Sequence, residues 1–226
     1  MNRVIAIIQA RMESTRLPGK VMVDLNGKSM LAHVIQRAGI IRGIDQVIVA
    51  TTSSISDDPI RVEARSLGVG VFSGSREDVL DRVYQAAKVY GGSIIMRLTA
   101  DCPLLDPKLS RLVLDRFLEG DVDYVSNCLS ATYPDGLDTE VCSFEALERA
   151  WLESEEKSDR EHVTSYIWEN PQLFRIGQVV NTEDMTGRRW TIDQPEDLQF
   201  IRQLIAHSPD QELPLQFTEI IQILRD

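Results

Sequence analysis

A short apolar run leads directly into a cation-rich loop in Val4-Ile5-Ala6-Ile7-Ile8-Gln9-Ala10-Arg11-Met12-Glu13-Ser14-Thr15-Arg16-Leu17-Pro18-Gly19-Lys20. The run is apolar and β-branched, which is typical of a buried strand. Residues 10–20, here called the cationic loop, then supply two arginines, a lysine, two hydroxyls and a Pro-Gly turn. Cations and hydrogen-bond donors at the end of a buried strand are suited to bind a polyphosphate.

The first half of the chain alternates short apolar runs with stretches in which apolar residues recur every three or four positions. The runs predict strands at residues 4–9, 46–51, 69–72, 93–98 and 122–125. Repeated strand–helix units of this kind predict an α/β fold, with a mostly parallel mixed sheet and helices on both faces. Ligands of such sheets bind beyond the carboxyl ends of the strands, where the cationic loop is expected to lie.

The pattern changes after Asn127. Residues 133–141 are predicted to form a turn that enters a short strand, and helical patterns follow at 144–153 and 161–169. Further strands are predicted at 174–180 and 188–192, and Pro195 is expected near the first turn of a helix that follows them. We expect one domain over residues 1–226.

Composition and charge limit the class of function. The chain has 226 residues, 43% of them hydrophobic, and a formal net charge of −11, which argues against a nucleic-acid partner. The three cysteines, Cys102, Cys128 and Cys142, lack the spacing of a zinc site and do not suggest a disulfide framework. No run is long enough to span a membrane or to form a signal-peptide core, so we expect no membrane partner and a cytoplasmic location.

Two aspartates follow predicted strands further along the chain. Asp101 comes after the run that ends at residue 98, and Asp193 comes after the run at 188–192. Carboxylates at the carboxyl ends of strands are suitable ligands for Mg²⁺ beside a nucleotide. Asp193 taken alone is equally consistent with a helix cap, whereas Asp106, followed by Pro107, is expected to begin a helix.

Asp121 and Asp123 form a D-x-D pattern, which metal-dependent glycosyltransferases use. A match of this length is weak, and Asp123 is also consistent with the simple start of a strand. The pattern is therefore kept only as the basis of an alternative function.

Six segments together resemble the cytidylyltransferases that activate acidic sugars, such as the 3-deoxy-manno-octulosonate and acylneuraminate cytidylyltransferases. The resemblance is closest to the spore coat polysaccharide biosynthesis protein F branch. The segments follow one another in the expected order over nearly the whole chain: residues 9–20, 74–82, 99–104, 133–138, 159–164 and 191–198. The resemblance implies a Rossmann-like nucleotidyltransferase fold of the nucleotide-diphospho-sugar transferase type.

The resemblance also implies roles for individual residues. Lys20, Arg11 and Arg16 would act in catalysis on the triphosphate, and the nucleotide would contact Gln9, Ala10, Ser14, Gly19, Arg76, Asp78 and Thr99. Asp101 and Asp193 match Mg²⁺ ligands, and Tyr133, Asp135, Asp138, Glu140, Arg160 and His162 would face the sugar. Asp78 is equally consistent with a helix start, and Arg160 and His162 with packing at a dimer interface. Residues 1–127 would form the nucleotide-binding half, and residues 128–226 the sugar-binding and dimerisation half of a homodimer.

The resulting hypothesis is an Mg²⁺-dependent enzyme that couples CTP to a sugar, expected to be acidic, and releases pyrophosphate in surface polysaccharide biosynthesis. Two alternatives stay open. One is a glycosyltransferase that uses a nucleotide sugar, and the other is a nucleotide-binding protein of a polysaccharide pathway without catalytic activity.

Overall fold

The computed structural model describes residues 2–14, 16–208 and 214–225. Its main feature is a seven-stranded sheet in the order β5-β4-β1-β6-β8-β7-β9. The strands are β1 (Val4–Gln9), β4 (Gln46–Thr52), β5 (Gly70–Gly74), β6 (Ile94–Thr99), β7 (Tyr124–Ser126), β8 (Glu140–Ser143) and β9 (Ile176–Gln178), and a separate hairpin contains β2 (Asp24–Leu25) and β3 (Lys28–Ser29). Strands from both halves of the sequence therefore share one sheet.

The sheet is mostly parallel, as predicted. β1 lies inside the sheet and pairs in parallel with β4 and β6, while β8 runs antiparallel to both of its neighbours. Because all the parallel strands point the same way, their carboxyl ends meet at one edge of the sheet. Gln9 and Thr99 are register partners at that edge.

Helices cover both faces of the sheet and enclose two cores. Along β1, Ala6 and Ile8 point into one core and Ile5 and Ile7 into the other, which explains why this strand is apolar at consecutive positions. The helices are α1 (Met30–Gly39), α2 (Asp58–Ser66), α3 (Val79–Tyr90), α4 (Pro107–Leu118), α5 (Phe144–Glu153), α6 (Lys157–His162), α7 (Ser165–Glu169), α8 (Pro195–Ala206) and α9 (Phe217–Ile223).

Two predicted elements were wrong. Residues 188–192 form no strand and make a single bridge, between Asp135 and Arg189. Trp190 and Ile192 are nevertheless buried, so the alternation in this segment reflects packing rather than strand pairing.

The helix predicted over residues 161–169 is broken into α6 and α7 at Val163, whose φ is +67°. The Val163 side chain is fully buried, and this packing holds the backbone outside the helical region. The helix predicted at 144–153 matches α5, and the strand predicted at 174–180 is shorter and corresponds to β9.

Other expectations concern single residues and long helices. Cys102, Cys128 and Cys142 are free thiols, and Asp106 caps α4 by accepting from the Leu109 N–H at 2.8 Å. Among the described residues, no helix is both long and apolar enough to cross a lipid bilayer.

Candidate active site

A cavity of about 270 Å³ opens at the carboxyl ends of β1 and β6. Residues of the cationic loop, of β6 and the segment after it, of α3 and of α6 line it. Ten of the predicted site residues line it: Gln9, Ala10, Arg11, Ser14, Arg16, Thr99, Lys20, Asp101, His162 and Asp193. Thr15, also named in the cationic loop, lies outside the described residues.

Lys20 is the most connected charge in this cavity. Its Nζ donates to Asp101 Oδ2 at 2.9 Å, to Asp193 Oδ1 at 2.8 Å and to the Ile192 carbonyl at 3.0 Å. Burial alone would lower the pKa of Lys20, but the charges and hydrogen bonds of the two aspartates outweigh it and raise the pKa. Lys20 therefore stays protonated and joins two acids that are distant in sequence.

Asp101 is held as a carboxylate by the same contacts. Burial would raise the pKa of Asp101, but the charge and hydrogen bond of Lys20 bring it below its ordinary value. Asp193 also pairs with Arg16 at 3.0 Å through its second oxygen. The cap of α8 is Gln194 rather than Asp193, because Gln194 and Asp197 form a capping box. The Asp193 side chain therefore lines the cavity and does not cap the helix.

The geometry of the acids fits Mg²⁺. Two carboxylates converge on one point, and Mg²⁺ commonly takes one or two protein carboxylates and completes its shell with phosphate oxygens and water. Over residues 2–14, 16–208 and 214–225, no group of three or more His, Cys, Asp or Glu side chains is placed to hold a metal ion. Asp101 and Asp193 would thus hold the ion together with a ligand that brings its own oxygens.

A turn at Gly19 shapes the cationic loop. Gly19 has a φ of +74°, a conformation that favours glycine, and its N–H donates to the Met12 carbonyl at 2.8 Å. Ser14 Oγ accepts from the Leu17 N–H at 3.4 Å. Lys20 follows Gly19 directly, so the turn sets the direction in which this lysine enters the cavity.

Buried Asp57 fixes the start of the same loop. It accepts from the Met12 N–H at 2.8 Å and from the Thr51 and Thr52 hydroxyls at 2.9 Å and 2.5 Å. Burial would raise the pKa of Asp57, but these hydrogen bonds lower it, so the group is an anion that anchors the loop to the end of β4. The sequence analysis missed this residue.

Arg82 is a second residue that the sequence analysis missed. It lies on α3, lines the cavity and donates to the Ser75 carbonyl at 2.6 Å. Burial and the nearby charge of Arg11 lower its pKa to about 10. Its Nε has no partner among the described residues, so Arg82 and Arg11 together form a cationic pair suited to an anion.

Arg97 is a third residue for which the sequence predicted no role. It lies on β6, lines the cavity, and donates through Nε to Gln9 Oε1 at 3.0 Å and through Nη1 to Glu140. Burial would lower the pKa of Arg97, but Glu140 raises it. An arginine inside an apolar strand run is the sequence signal that could have marked it.

Other predicted residues lie outside the lining of the cavity. Arg76 pairs with Glu13 at 2.5 Å, and Arg160 pairs with Asp78 at 3.4 Å. Asp78 also caps α3 by accepting from the Asp81 N–H at 2.7 Å, which is the structural role left open for it.

The predicted sugar-facing acids lie near the cavity on the β8 side. Tyr133 packs edge-on against Phe217, and Asp135 is within 3.3 Å of the Thr191 hydroxyl. Burial and the charges of Asp135 and Glu140 raise the pKa of Asp138 to about 7. Asp138 thus titrates near neutral pH.

The D-x-D pattern has a structural explanation. Asp121 pairs with Arg116 at 2.6 Å, and Asp123 pairs with Arg175 at 2.7 Å. Both acids precede β7, at the opposite end of that strand from the carboxyl ends, and neither lines the cavity. The basis for the glycosyltransferase alternative is therefore absent from the site.

The sequence matches the cytidylyltransferase family over residues 5–220. The chain belongs to this family. It is accordingly a nucleotidyltransferase that uses CTP, and the cavity described above is the candidate active site of a cytidylyltransferase.

Two curated relatives and one solved structure show how far the similarity extends. An uncharacterised protein of Methanocaldococcus jannaschii is 41% identical over 207 residues, covering 91% of this chain and 84% of the relative. The spore coat polysaccharide biosynthesis protein SpsF of Bacillus subtilis is 34% identical over 211 residues, covering 90% of this chain and 87% of SpsF. The structure of a cytidylyltransferase from Leptospira borgpetersenii has a TM-score of 0.95 at 33% identity, covering 100% of this chain and 94% of the Leptospira chain.

Proposed function

We propose that this cytidylyltransferase transfers the CMP group of CTP, with Mg²⁺, to a hydroxyl of a sugar and releases pyrophosphate. The observation that carries the proposal is the convergence of Lys20, Asp101 and Asp193 on one point beside the cationic loop. Cations for a triphosphate and acids for a divalent ion are thereby placed in one cavity.

The cationic loop is suited to the phosphates. Arg11 and Arg16 offer planar guanidinium groups, which match phosphate oxygens in pairs. Gly19 leaves the backbone accessible to close approach, and Ser14 adds a hydroxyl. The buried Arg82 adds positive charge next to Arg11. We assign the triphosphate to this side of the cavity.

The proposed reaction is an in-line displacement. An acceptor hydroxyl attacks the α-phosphorus, a new P–O bond forms, and the bond to the leaving pyrophosphate breaks. Such chemistry rests on positioning and on neutralisation of charge rather than on a covalent enzyme intermediate. Lys20 and Arg16 would stabilise the charge that develops on the leaving group.

Asp101 and Asp193 would hold Mg²⁺, which when bound supplies Lewis-acid polarisation of the α-phosphate and lowers the pKa of the attacking hydroxyl. Because Lys20 occupies the point between the two acids, we expect its side chain to turn towards the phosphates in the loaded enzyme. Asp101 and Asp193 also orient Lys20 before the substrates arrive.

The sugar acceptor is inferred from similarity and from the site. SpsF is named for polysaccharide biosynthesis, and this chain is similar to it over most of its length. The β8 side of the site carries Asp135 and Asp138, whose oxygens are suitable partners for sugar hydroxyls. The predicted homodimer rests on the resemblance alone, and analytical ultracentrifugation would test it.

The test is a screen of the four nucleoside triphosphates against sugars with and without an acidic group, with pyrophosphate release as the readout. We expect turnover with CTP, dependence on Mg²⁺, and loss of turnover when EDTA is added. Tight CTP binding by calorimetry without turnover on any acceptor would favour the non-catalytic alternative. Sugar transfer from a nucleotide sugar would favour the glycosyltransferase.

A further inference from the structure

The guanidinium of Arg97 is fixed on two sides and open on the third. Its Nε donates to Gln9 Oε1 at 3.0 Å and its Nη1 donates to Glu140 Oε2. Its Nη2 donates to no group in the described part of the chain, although the side chain is only 14% exposed and lines the cavity. A charged donor is thus held rigidly with one nitrogen available to a ligand.

Glu140 is fully engaged and cannot turn towards a ligand. Besides Arg97, its carboxylate accepts from the Tyr124 hydroxyl at 2.6 Å and from the Thr164 hydroxyl. Buried ion pairs with additional hydrogen bonds are costly to rearrange, so this network sets the orientation of Arg97.

The amide of Gln9 is oriented by the same network. Because Gln9 Oε1 accepts from Arg97, the Nε2 group of Gln9 presents only donors. Ile7 and Arg97 are register partners on β1 and β6, and Gln9 pairs with Thr99 two residues nearer the carboxyl ends of these strands. Two adjacent strands therefore present donors side by side, and a ligand group that can only accept hydrogen bonds matches them best.

The backbone beside this point is strained. Val163 has φ +67° and ψ −58°, and the Thr164 N–H donates to the His162 carbonyl at 2.7 Å, which defines a γ-turn of the rare, positive-φ kind. Such strain is typical of ligand-binding segments that the surrounding structure holds in place. Thr164 donates to Glu140, the partner of Arg97, and His162 at the start of the turn lines the same cavity as Arg97.

The position of Arg97 separates it from the proposed triphosphate contacts. Arg11 and Arg82 lie with β4 and the start of α3, on the other side of β1, whereas Arg97 faces Glu140 on β8. Asp101 follows the end of β6, the strand that carries Arg97, and lines the same cavity. An acceptor bound on the β8 side would thus reach Asp101 from the direction of Arg97.

We infer that Arg97 is a specificity residue for the acceptor, and that with His162 and the Gln9 amide it binds an anionic oxygen group, a carboxylate or a phosphate, of the sugar. Gln9, for which the resemblance implied a nucleotide contact, is thereby assigned to the acceptor. This inference rests on the proposed function. The enzyme would thus select a charged acceptor through the Arg97 guanidinium inside the sheet, and not through the cations of the cationic loop.

The test compares charged sugars with matched neutral ones in the whole enzyme. The probes are 3-deoxy-manno-octulosonate, its methyl ester, glucose 6-phosphate and glucose, each with CTP and Mg²⁺. We expect kcat/KM of the wild type to be at least about tenfold higher for one charged probe than for its neutral counterpart, as for a hydrogen bond to a charged group. The two pairs distinguish a carboxylate from a phosphate.

Two variants are compared with the wild type: the single variant Arg97→Lys, and the double variant that combines Arg97→Gln with Glu140→Gln. Arg97→Lys keeps a cation beside Glu140 but loses the planar guanidinium with its paired donors. The double variant removes both buried charges, so that neither is left unpaired. We expect KM for the charged acceptor to rise about tenfold or more, the preference over the neutral counterpart to fall, and KM for CTP to stay within about twofold. Arg11→Lys, on the nucleotide side, should show the reverse, with a raised KM for CTP.

Three outcomes would overturn the inference: an unchanged preference in both Arg97 variants, a rise in KM for CTP instead of KM for the acceptor, or a wild type that prefers the neutral probes. A wild type that binds CTP but turns over neither these probes nor any sugar of the wider acceptor screen contradicts the proposed function itself, and the inference falls with it. The two failures are therefore distinguishable.

Discussion

Lys20 and Asp193 are 173 positions apart in the sequence, yet Lys20 Nζ lies 2.8 Å from Asp193 Oδ1. The same nitrogen reaches Asp101 at 2.9 Å, so one ammonium balances two carboxylates. The pairing makes Lys20 part of the framework of the site as well as a candidate for catalysis. Its replacement should therefore have both a kinetic and a structural effect.

Replacing Lys20 by methionine should lower kcat by about 10²-fold or more, as loss of one strong charge-stabilising donor does. It should also lower the free energy of unfolding, because Asp101 loses its cation and Asp193 keeps only the exposed Arg16. Pyrophosphate release at saturating CTP and urea unfolding measure the two effects. Lys108→Met, an exposed lysine on α4, is the matched control. Near-normal kcat in the Lys20 variant would contradict the role.

Replacing Asp101 by asparagine should abolish Mg²⁺-dependent turnover while CTP binding persists. The amide keeps the shape of the side chain but loses the charge that a divalent ion requires. Calorimetry with CTP and titration of turnover with Mg²⁺ check this, with Asp115→Asn on the exposed surface of α4 as control. Full turnover with an unchanged Mg²⁺ dependence would place the metal elsewhere.

Asp138 should make stability depend on pH. Its pKa is raised by burial from 3.8 to about 7, so between these values the folded protein keeps a proton that the unfolded chain has lost. Stability from this group is therefore greatest in acid and falls as the pH rises towards 7. Asp138→Asn removes the effect, and its stability relative to the wild type should increase from pH 5 to pH 8.

Urea unfolding at pH 5 and at pH 8 measures this difference. Between the pKa values of the unfolded and the folded protein, the wild type should lose stability by about 1.4 kcal/mol for each pH unit. Glu155→Gln, at an exposed position, serves as the control and should change stability equally at both pH values. A constant difference between wild type and the Asp138 variant would show that this carboxyl titrates normally.

Replacing Gly136 by alanine should destabilise the protein by roughly 1–3 kcal/mol. Gly136 has a φ of +104°, and an added Cβ would lie 2.7 Å from the Trp190 carbonyl carbon and 2.8 Å from the Thr191 nitrogen. The contact holds the 133–138 loop against the segment that leads to Asp193. Gly187→Ala, where no atom lies within 4 Å of the added Cβ, should be close to neutral. Thermal unfolding of both variants, with turnover, checks the prediction.

The local sequence pattern predicted much of the candidate site. β1 has the predicted bounds because five apolar residues, Val4–Ile8, are followed at once by Gln9 and the polar residues of the cationic loop. Ser14, Gly19 and Lys20 were found because cations, hydroxyls and a turn cluster next to that strand. Asp106 could be assigned to a helix start because a cap and a proline at the first turn act over only three residues.

Long-range packing decided what the pattern missed. Residues 188–192 alternate like a strand, but their neighbour is the loop at Asp135 rather than a strand with a free edge. Asp57 and Arg82 gained their roles from partners brought near by folding, the Met12 backbone and the Arg11 charge. No window of sequence contains those pairs.

The alternation of strands and helices, the cationic loop and the acids after two buried segments could be read from the chain alone, because they depend on neighbours a few residues away. The bridge from Lys20 to Asp101 and Asp193 emerged from folding, as did the clamping of Arg97 by Gln9 and Glu140 with one nitrogen open to the cavity. These pairings depend on strand order and register, which result from the packing of the whole sheet between its two helical layers.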